Sequence, residues 1–238
     1  RGCFFCSRLG ALSVVIDRGA GRIKLRDLLQ ALFLGREPVP SRIHPFLMIS
    51  LIGMPGCGKT TVGRQLARRL RAVFIDSDRV IEERIGCSIR ELFEREGEEA
   101  FRAVEEAALD DLTRTGGGAV LSTGGGAVLR PATRMRLRER GQVVYLHALP
   151  DDIYRRLRHD TTRPLLQTKD PLQQLRSLYA QRDPLYRETA HFVIETGRPS
   201  VATLVNMVVM QLELAGAVNG GALAVAVQPA LNRRSTDP

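Results

Sequence analysis

The stretch Gly53-Met54-Pro55-Gly56-Cys57-Gly58-Lys59-Thr60 decides the fold of this chain. It has the G-x-x-x-x-G-K-T spacing of a phosphate-binding loop. It follows the apolar run 46–52 and precedes apolar residues at helical spacing, so it lies between a strand and a helix, as this motif requires. In such a loop, backbone N–H groups and a helix N-terminus surround an anion. The stretch therefore predicts a binding site for a nucleoside triphosphate.

Two side chains of this loop carry specific chemistry. Lys59 can reach the β- and γ-phosphates, and the Thr60 hydroxyl can ligate Mg²⁺. The alternative is a glycine-rich turn before an ordinary helix, which the spacing and the context disfavour. Cys57 lies among the N–H groups and close to Lys59, so we hypothesise that it is a reactive thiolate that ATP shields.

Length and composition limit the function classes. The chain has 238 residues, a formal net charge of +9 and four cysteines, which fits one domain with additional segments and no disulfide framework. A reducing compartment, the cytoplasm, is expected. No stretch is long and charge-free enough to span a bilayer, so no membrane is expected. Nucleic-acid binding would fit the charge, but no recognised module supports it, and we attribute the basic residues to small anionic ligands.

The chain divides into three predicted parts. Residues 1–45 form an arm with one helical pattern at 25–33 and a proline-rich linker. Residues 46–214 form the globular domain, and residues 215–238 form a tail of small and polar residues. The arm is expected to be disordered or loosely packed, and the tail is expected to be disordered.

Two acidic residues follow the second predicted strand. The apolar run 72–75 ends in Asp76-Ser77-Asp78, and residues two apart on a strand point to the same side. The carboxyl ends of parallel strands are where ligands bind in open α/β sheets. We expect Asp76 near Mg²⁺ and Asp78 nearer to the second substrate. The alternative is that Ser77 or Asp78 caps the next helix.

Further candidates follow later in the chain. A helix from Glu98 to Thr113 would place Arg102 and Glu105 on one face, either as a surface ion pair or with Arg102 facing a substrate carboxylate. The triplet 124–126 is three glycines directly after the buried strand 119–122, where they would allow a ligand to approach the backbone closely.

A polar segment without periodicity, at about 159–170, contains Arg163. It is typical of a mobile flap, since closing loops exclude water and bring cations to transferring phosphates. A loop arginine that is only solvated is the alternative.

Six stretches at compatible spacing resemble the shikimate kinase family, and the resemblance runs from about residue 46 to residue 214. They are Gly53–Thr61, Asp76–Asp78, Gly97–Arg102, Gly124–Gly126, Arg163–Leu166 and Arg182–Tyr186. The resemblance implies a three-layer α/β P-loop fold of the nucleoside-monophosphate-kinase type, with a five-stranded parallel sheet flanked by helices and a mobile lid. It also implies a monomeric enzyme that uses Mg²⁺ and ATP to phosphorylate the 3-hydroxyl of shikimate in chorismate and aromatic amino acid biosynthesis.

The resemblance also implies roles for individual residues. The ATP-binding residues would be Gly56, Cys57, Gly58, Lys59, Thr60, Thr61, Arg163 and Arg198. The Mg²⁺ residues would be Thr60 and Asp76. The shikimate-binding residues would be Asp78, Arg102, Glu105, Gly124, Gly125, Gly126 and Arg182. Lys59, Asp78 and Arg163 would act in the transfer itself.

Two other functions remain open at this point. One is a gluconate-kinase-like enzyme on the same fold, which Arg102 and Arg182 disfavour because they match the shikimate pattern. The other is a non-catalytic ligand sensor, which the retained phosphoryl-transfer residues disfavour. Shikimate-dependent ADP release would distinguish all three.

Overall fold

The structure is a computed structural model, and it describes residue 43 and residues 47–115, 117–158 and 170–218. The predicted helix at 25–33 and the predicted flap with Arg163 lie outside these residues, apart from Asp170 at the end of the flap.

A single sheet of five parallel strands forms the centre of the described part. The strands are β1 (Met48–Ile52), β2 (Val73–Asp76), β3 (Ala119–Ser122), β4 (Gly141–His147) and β5 (Phe192–Glu195). Their order in the sheet is β2-β3-β1-β4-β5. Every residue of the central strand β1 is buried, as expected for a parallel strand covered on both faces. The prediction of a five-stranded parallel sheet is confirmed.

Helices connect and flank the strands. They are α1 (Lys59–Leu70), α2 (Ser77–Ile85), α3 (Ile89–Thr115), α4 (Pro131–Glu139), α5 (Pro150–Leu157), α6 (Pro171–Thr189) and α7 (Val201–Leu214), and a short 3-10 helix (Ala127–Leu129) precedes α4. Within the described residues, none of these helices has the length and apolar character needed to cross a membrane.

The start and the bend of the helix α3 have local causes. The Ser88 N–H donates to Glu91 Oε2 at 2.7 Å and the Glu91 N–H donates to Ser88 Oγ at 3.2 Å, so the S-x-x-E spacing forms a capping box. Gly97 interrupts the helix with φ 84° and ψ 177°, a conformation that favours glycine. The segment after this bend carries Arg102.

A separate hydrophobic cluster holds α3 against α2. Its buried members are Ile81, Leu92, Phe101 and Ala108. The rings of Phe93 and Phe101 lie 4.7 Å apart, and the guanidinium of Arg102 lies 5.1 Å from the Phe101 ring. Because Phe101 is anchored in the cluster, its neighbour Arg102 is held in one place.

The helix α6 continues past an internal proline. It runs to Thr189 with Pro184 inside it. A proline in a helix costs one backbone hydrogen bond. Buried residues on both sides of it, Leu175 and Tyr186, pack into the protein, and this packing outweighs the local preference.

The two ends of the described part meet. Ile43, which precedes β1, forms an antiparallel bridge with Val218, which follows α7. Both side chains are buried.

Candidate functional site

The phosphate-binding loop lies at the carboxyl end of β1, and α1 begins directly after it. The central position of β1 puts this loop where the strand order reverses, which is the usual ligand crevice of an open α/β sheet. Gly56 and Gly58 have φ values of 82° and 102°, so the turn depends on glycine at both positions. The predicted strand–loop–helix context is confirmed.

Lys59 is folded over the loop. Its Nζ donates to the carbonyl oxygens of Gly53 at 2.9 Å and Met54 at 3.1 Å, so its charge is held at the centre of the turn. Cys57 Sγ lies 3.9 Å from the same Nζ, but Cys57 is only 1% exposed. Because a reactive thiol must be accessible to its reagent, this burial argues against our hypothesis of a reactive Cys57.

A threonine and an aspartate meet beside the loop. Thr60 Oγ1 donates to Asp76 Oδ2 at 3.0 Å. The other carboxylate oxygen of Asp76 accepts from the Asp78 N–H at 3.2 Å, which makes Asp76 the cap of α2. The alternative in which Ser77 or Asp78 caps this helix is therefore wrong, because the cap lies one position earlier.

This oxygen-only pair suits Mg²⁺. The ion prefers hard oxygen ligands and usually keeps several waters, with one or two protein carboxylates and substrate phosphates completing its shell. Among the described residues, no group of three or more His, Cys, Asp or Glu side chains could hold a metal.

Asp78 stands at the start of α2, beside the loop. Burial raises the pKa of its carboxyl, and the neighbouring charge of Asp76 raises it further, while Lys59 acts in the opposite direction. Ser77 Oγ donates to Asp78 Oδ1 at 3.4 Å and accepts from the Gly124 N–H at 3.0 Å. Ser77 thus connects the aspartate to the glycine triplet.

Arg102 lies between two glutamates. Its Nη1 donates to Glu105 Oε2 at 2.6 Å, and its Nε and Nη2 donate to Glu98 Oε1 at 3.2 and 2.8 Å. The exposed fractions of the side chains are 10% for Arg102, 4% for Glu105 and 60% for Glu98. The predicted Arg102–Glu105 pair exists, but it is buried and does not lie on the surface.

Two buried polar atoms lie around the Arg102–Glu105 pair, Glu105 Oε1 and Arg182 Nε. Neither has a hydrogen-bond partner within the described part of the chain. Burial raises the pKa of the Glu105 carboxyl, and Arg102 only partly opposes this effect. Buried polar groups are normally paired, so both atoms are available to a polar ligand.

The glycine triplet permits the close approach of the other segments. A Cβ on Gly124 would lie 2.6 Å from Glu105 Oε1 and 2.9 Å from Asp78 Oδ1. A Cβ on Gly126 would overlap the guanidinium of Arg102. Real Cβ atoms do not approach other atoms this closely, so each glycine makes room for a predicted site residue.

Gly125 contacts the phosphate-binding loop and α6. A Cβ at this position would lie 2.8 Å from Pro55 Cδ. Its carbonyl oxygen accepts hydrogen bonds from Arg182 Nη1 at 3.1 Å and from the Tyr186 hydroxyl at 2.5 Å. The nucleotide loop and the helix with the second arginine are therefore joined through one residue.

The structure thus brings together most of the residues that the sequence predicted. Those in the cluster are Lys59, Thr60, Asp76, Asp78, Arg102, Glu105, Gly124, Gly125, Gly126 and Arg182. Thr61 lies exposed in the first turn of α1. Arg198 is exposed in the loop after β5, and none of the contacts above involves it.

Three further contributors, Ser77, Glu98 and Tyr186, lie in the stretches that carry the resemblance, but no role in the site was predicted for them from the sequence. Tyr186 and Glu98 each lie four residues from a predicted arginine, which is one helical turn away on the same face. That spacing could have identified both. Ser77 lies between two predicted aspartates and carries no comparable signal.

Comparison with known proteins gives a consistent result. A family model described as shikimate kinase matches residues 55–213. A shikimate kinase of Paracidovorax citrulli is 62% identical over 182 residues, which cover 72% of this chain and 95% of the relative. A shikimate kinase of Ralstonia nicotianae is 59% identical, with 71% of this chain and 89% of the relative covered.

Solved structures agree with these relatives. A shikimate kinase from Acinetobacter baumannii in complex with shikimate is 44% identical, with a TM-score of 0.67, and the match covers 73% of this chain and 96% of that one. A shikimate kinase from Bacteroides thetaiotaomicron is 32% identical, with a TM-score of 0.66 and coverage of 70% and 98%.

Proposed function

The chain belongs to the shikimate kinase family, and we propose from this membership how its own residues carry out the reaction. The reaction transfers the γ-phosphoryl group of ATP to the 3-hydroxyl of shikimate, a step of chorismate and aromatic amino acid biosynthesis. One observation supports the assignment of residues best. Arg102 and Arg182, from two separate helices, both reach the glycine triplet beside the phosphate-binding loop.

The phosphate-binding loop binds ATP, which is the phosphoryl donor. The backbone N–H groups of residues 56–61 and the N-terminus of α1 surround the phosphates, as a phosphate-binding loop does. Lys59 Nζ, which contacts two loop carbonyls, moves its charge to the β- and γ-phosphates. Cys57 contributes its N–H rather than its buried thiol.

Thr60 and Asp76 would hold Mg²⁺, Thr60 through its hydroxyl and Asp76 through the water shell of the ion. When bound, the ion neutralises charge on the phosphates of the nucleotide. The contact between the two side chains at 3.0 Å supports this assignment.

The second half of the site binds the acceptor. Shikimate is a cyclic triol with one carboxylate. Arg102 and Arg182 suit the carboxylate, because a guanidinium presents a planar fork of N–H donors. Glu105 orients Arg102 through the 2.6 Å contact, and the glycine triplet lets an edge of the ring approach the backbone.

Asp78 receives the proton of the acceptor hydroxyl. As the hydroxyl oxygen bonds to the γ-phosphorus, the bond to the β–γ bridging oxygen breaks and ADP leaves. Phosphoryl transfer requires positioning and charge neutralisation more than covalent help. A carboxyl whose pKa burial raises accepts a proton more readily than an ordinary aspartate. Arg163 would add positive charge when the flap closes.

The remaining assignments complete the proposal. The catalytic domain spans about 46–214, which the family match over 55–213 supports, with a mobile lid at about 159–170 and Arg198 close to the adenine. The arm and the tail lie outside this domain. We propose a monomeric cytoplasmic enzyme that binds neither nucleic acid nor membrane, and light scattering at the working concentration would test the monomer.

Acceptor-dependent ADP release tests the reaction. The assay compares shikimate with quinate, gluconate and nucleoside monophosphates, with Mg²⁺ and ATP fixed, and only shikimate should give rapid turnover. A purified enzyme without shikimate-dependent turnover would overturn the function.

The variant Arg102→Ala tests the residue assignment. It should raise the KM for shikimate strongly, by about 100-fold for a lost charged hydrogen-bond pair, while the KM for ATP stays near normal. Loss of ATP binding instead would show that Arg102 does not serve the acceptor half.

A further inference from the structure

The N–H donors of Arg102 are shared unequally between its two glutamate partners. Glu105 accepts from Nη1 alone at 2.6 Å. Glu98 uses a single oxygen, Oε1, for both Nε and Nη2, at 3.2 and 2.8 Å. The Nε–Nη2 edge of a guanidinium is the edge that matches two parallel oxygens of one carboxylate. Glu98 therefore occupies this edge without providing the geometry that fits it best.

The two glutamates also differ in the free-energy cost of breaking their contacts with Arg102. Glu105 is 4% exposed, and a buried carboxylate without its partner is strongly destabilising. Glu98 is 60% exposed, so water can solvate it fully when its contact with Arg102 breaks. Arg102 itself is only 10% exposed, so the pair is exposed on the Glu98 side alone. Glu105 is thus a fixed partner of Arg102, whereas Glu98 is an exchangeable one.

There is room for a ligand beside the exchangeable partner. A cavity of about 390 Å³ is lined by Glu98, Glu99, Arg102, Leu129 and Arg130. Arg130 and Glu99 form an ion pair on its wall. A carboxylate that enters this space approaches Arg102 beside Glu98.

We propose that Glu98 is an internal competitor of the substrate, which a substrate carboxylate displaces from Arg102 when it binds. This inference rests on the proposed function, in which Arg102 binds the carboxylate of shikimate. The substrate offers one oxygen to each of Nε and Nη2, while Glu98 offers one oxygen to both. The exchange exposes Glu98 to solvent and leaves the Arg102–Glu105 pair intact.

This competition lowers affinity and increases selectivity. The measured dissociation constant includes the cost of releasing Glu98, because only the released form presents the free edge. A substrate carboxylate offsets this free-energy cost, because it replaces Glu98 as the charged partner of Arg102. An uncharged polyol cannot do this, so displacing Glu98 would leave the Nε–Nη2 edge of Arg102 without a charged partner. Glu98 is therefore a specificity-determining residue for an anionic acceptor.

The variant Glu98→Gln tests the competition. The amide keeps the size of the side chain and removes its charge, so the dissociation constant for shikimate, measured by titration calorimetry, should fall at least about two- to five-fold, the range for exposed ion pairs, since only Glu98 is exposed in this pair. The KM for ATP should not change. The methyl ester of shikimate lacks the competing charge, and its dissociation constant should be the same for the wild type and the variant.

A matched control is available on the same helix. Glu94 pairs with Arg90 at 2.9 Å, and both side chains are about two-thirds exposed. The variant Glu94→Gln removes the same charge from an ion pair that is exposed on both sides, away from Arg102, and it should leave both dissociation constants unchanged.

The outcomes separate this inference from the proposed function. An active wild type whose Glu98→Gln variant binds shikimate equally or more weakly would overturn the inference alone. So would tighter binding of the ester, or tighter shikimate binding by Glu94→Gln, since either result indicates a general charge effect. A wild type without shikimate-dependent turnover would instead overturn the proposed function.

Discussion

The hydroxyl of Tyr186 donates a hydrogen bond to the carbonyl oxygen of Gly125 at 2.5 Å, across 61 positions of sequence. Arg182, one helical turn earlier, donates to the same oxygen at 3.1 Å. Tyr186 is fully buried, and this burial raises the pKa of its hydroxyl above the usual range. The phenol therefore stays protonated and fixes α6, with its arginine, against the glycine triplet.

The variant Tyr186→Phe should weaken acceptor binding. It removes one hydrogen bond to Gly125, about 1 kcal/mol, and leaves Arg182 less firmly placed. We expect the KM for shikimate to rise about five-fold with the KM for ATP unchanged, as measured by steady-state kinetics. Equal increases in both KM values would mean that the phenol supports the fold as a whole and not the acceptor half.

The variant Gly126→Ala should displace Arg102. Gly126 has φ −99°, which alanine adopts freely, so the effect comes from the overlap of the new Cβ with the guanidinium. The KM for shikimate should rise at least about ten-fold, the result of losing a charged hydrogen bond. A double-mutant cycle provides the control. In the Arg102→Ala background the same substitution should add almost nothing, and an additive effect would contradict the mechanism.

The variant Asp78→Asn should stabilise the protein in a pH-dependent way. Because burial raises the folded-state pKa of this carboxyl above its ordinary value of 3.8, the folded wild type retains its proton more strongly than the unfolded chain. Its stability therefore falls as the pH rises from that ordinary value through the raised one. The neutral amide avoids this loss.

Chemical denaturation at several pH values measures the difference. The gain in unfolding free energy for Asp78→Asn should increase with pH over that window and then level off at about 1 kcal/mol, typical of removing a destabilising functional group. Turnover should be lost at every pH. A gain in unfolding free energy that is largest at acidic pH would contradict the predicted direction of this pH dependence.

The hydroxyl of Thr60 should determine the Mg²⁺ requirement. Thr60→Ser keeps the oxygen that contacts Asp76, and Thr60→Val replaces it with a methyl group of similar size. We expect the Mg²⁺ concentration for half-maximal rate to rise about ten-fold in the valine variant, as for a lost metal-orienting contact, and to change little in the serine variant. Equal shifts in the two variants would exclude a ligand role for the hydroxyl.

Much of the fold was predictable because its signals are local. The strands β3 and β5 coincide with apolar runs that turn residues bound. Gly97 bends α3 because it adopts a positive φ, a conformation that favours glycine. The continuation of α6 past Pro184 was not predictable, because it depends on the packing of Tyr186, which is a tertiary contact.

The sequence by itself determined the phosphate-binding loop, because a motif of contiguous residues specifies its own backbone geometry and its own charges. It also identified both arginines and both aspartates of the candidate site. Only the tertiary structure decided how these residues are paired. Arg182 and Tyr186 donate to the same carbonyl oxygen. Arg102 pairs with one solvated glutamate, Glu98, and one buried glutamate, Glu105. The physical reason is that burial and hydrogen bonding between distant segments depend on how those segments pack. The spacing of residues along the chain carries no information about that packing.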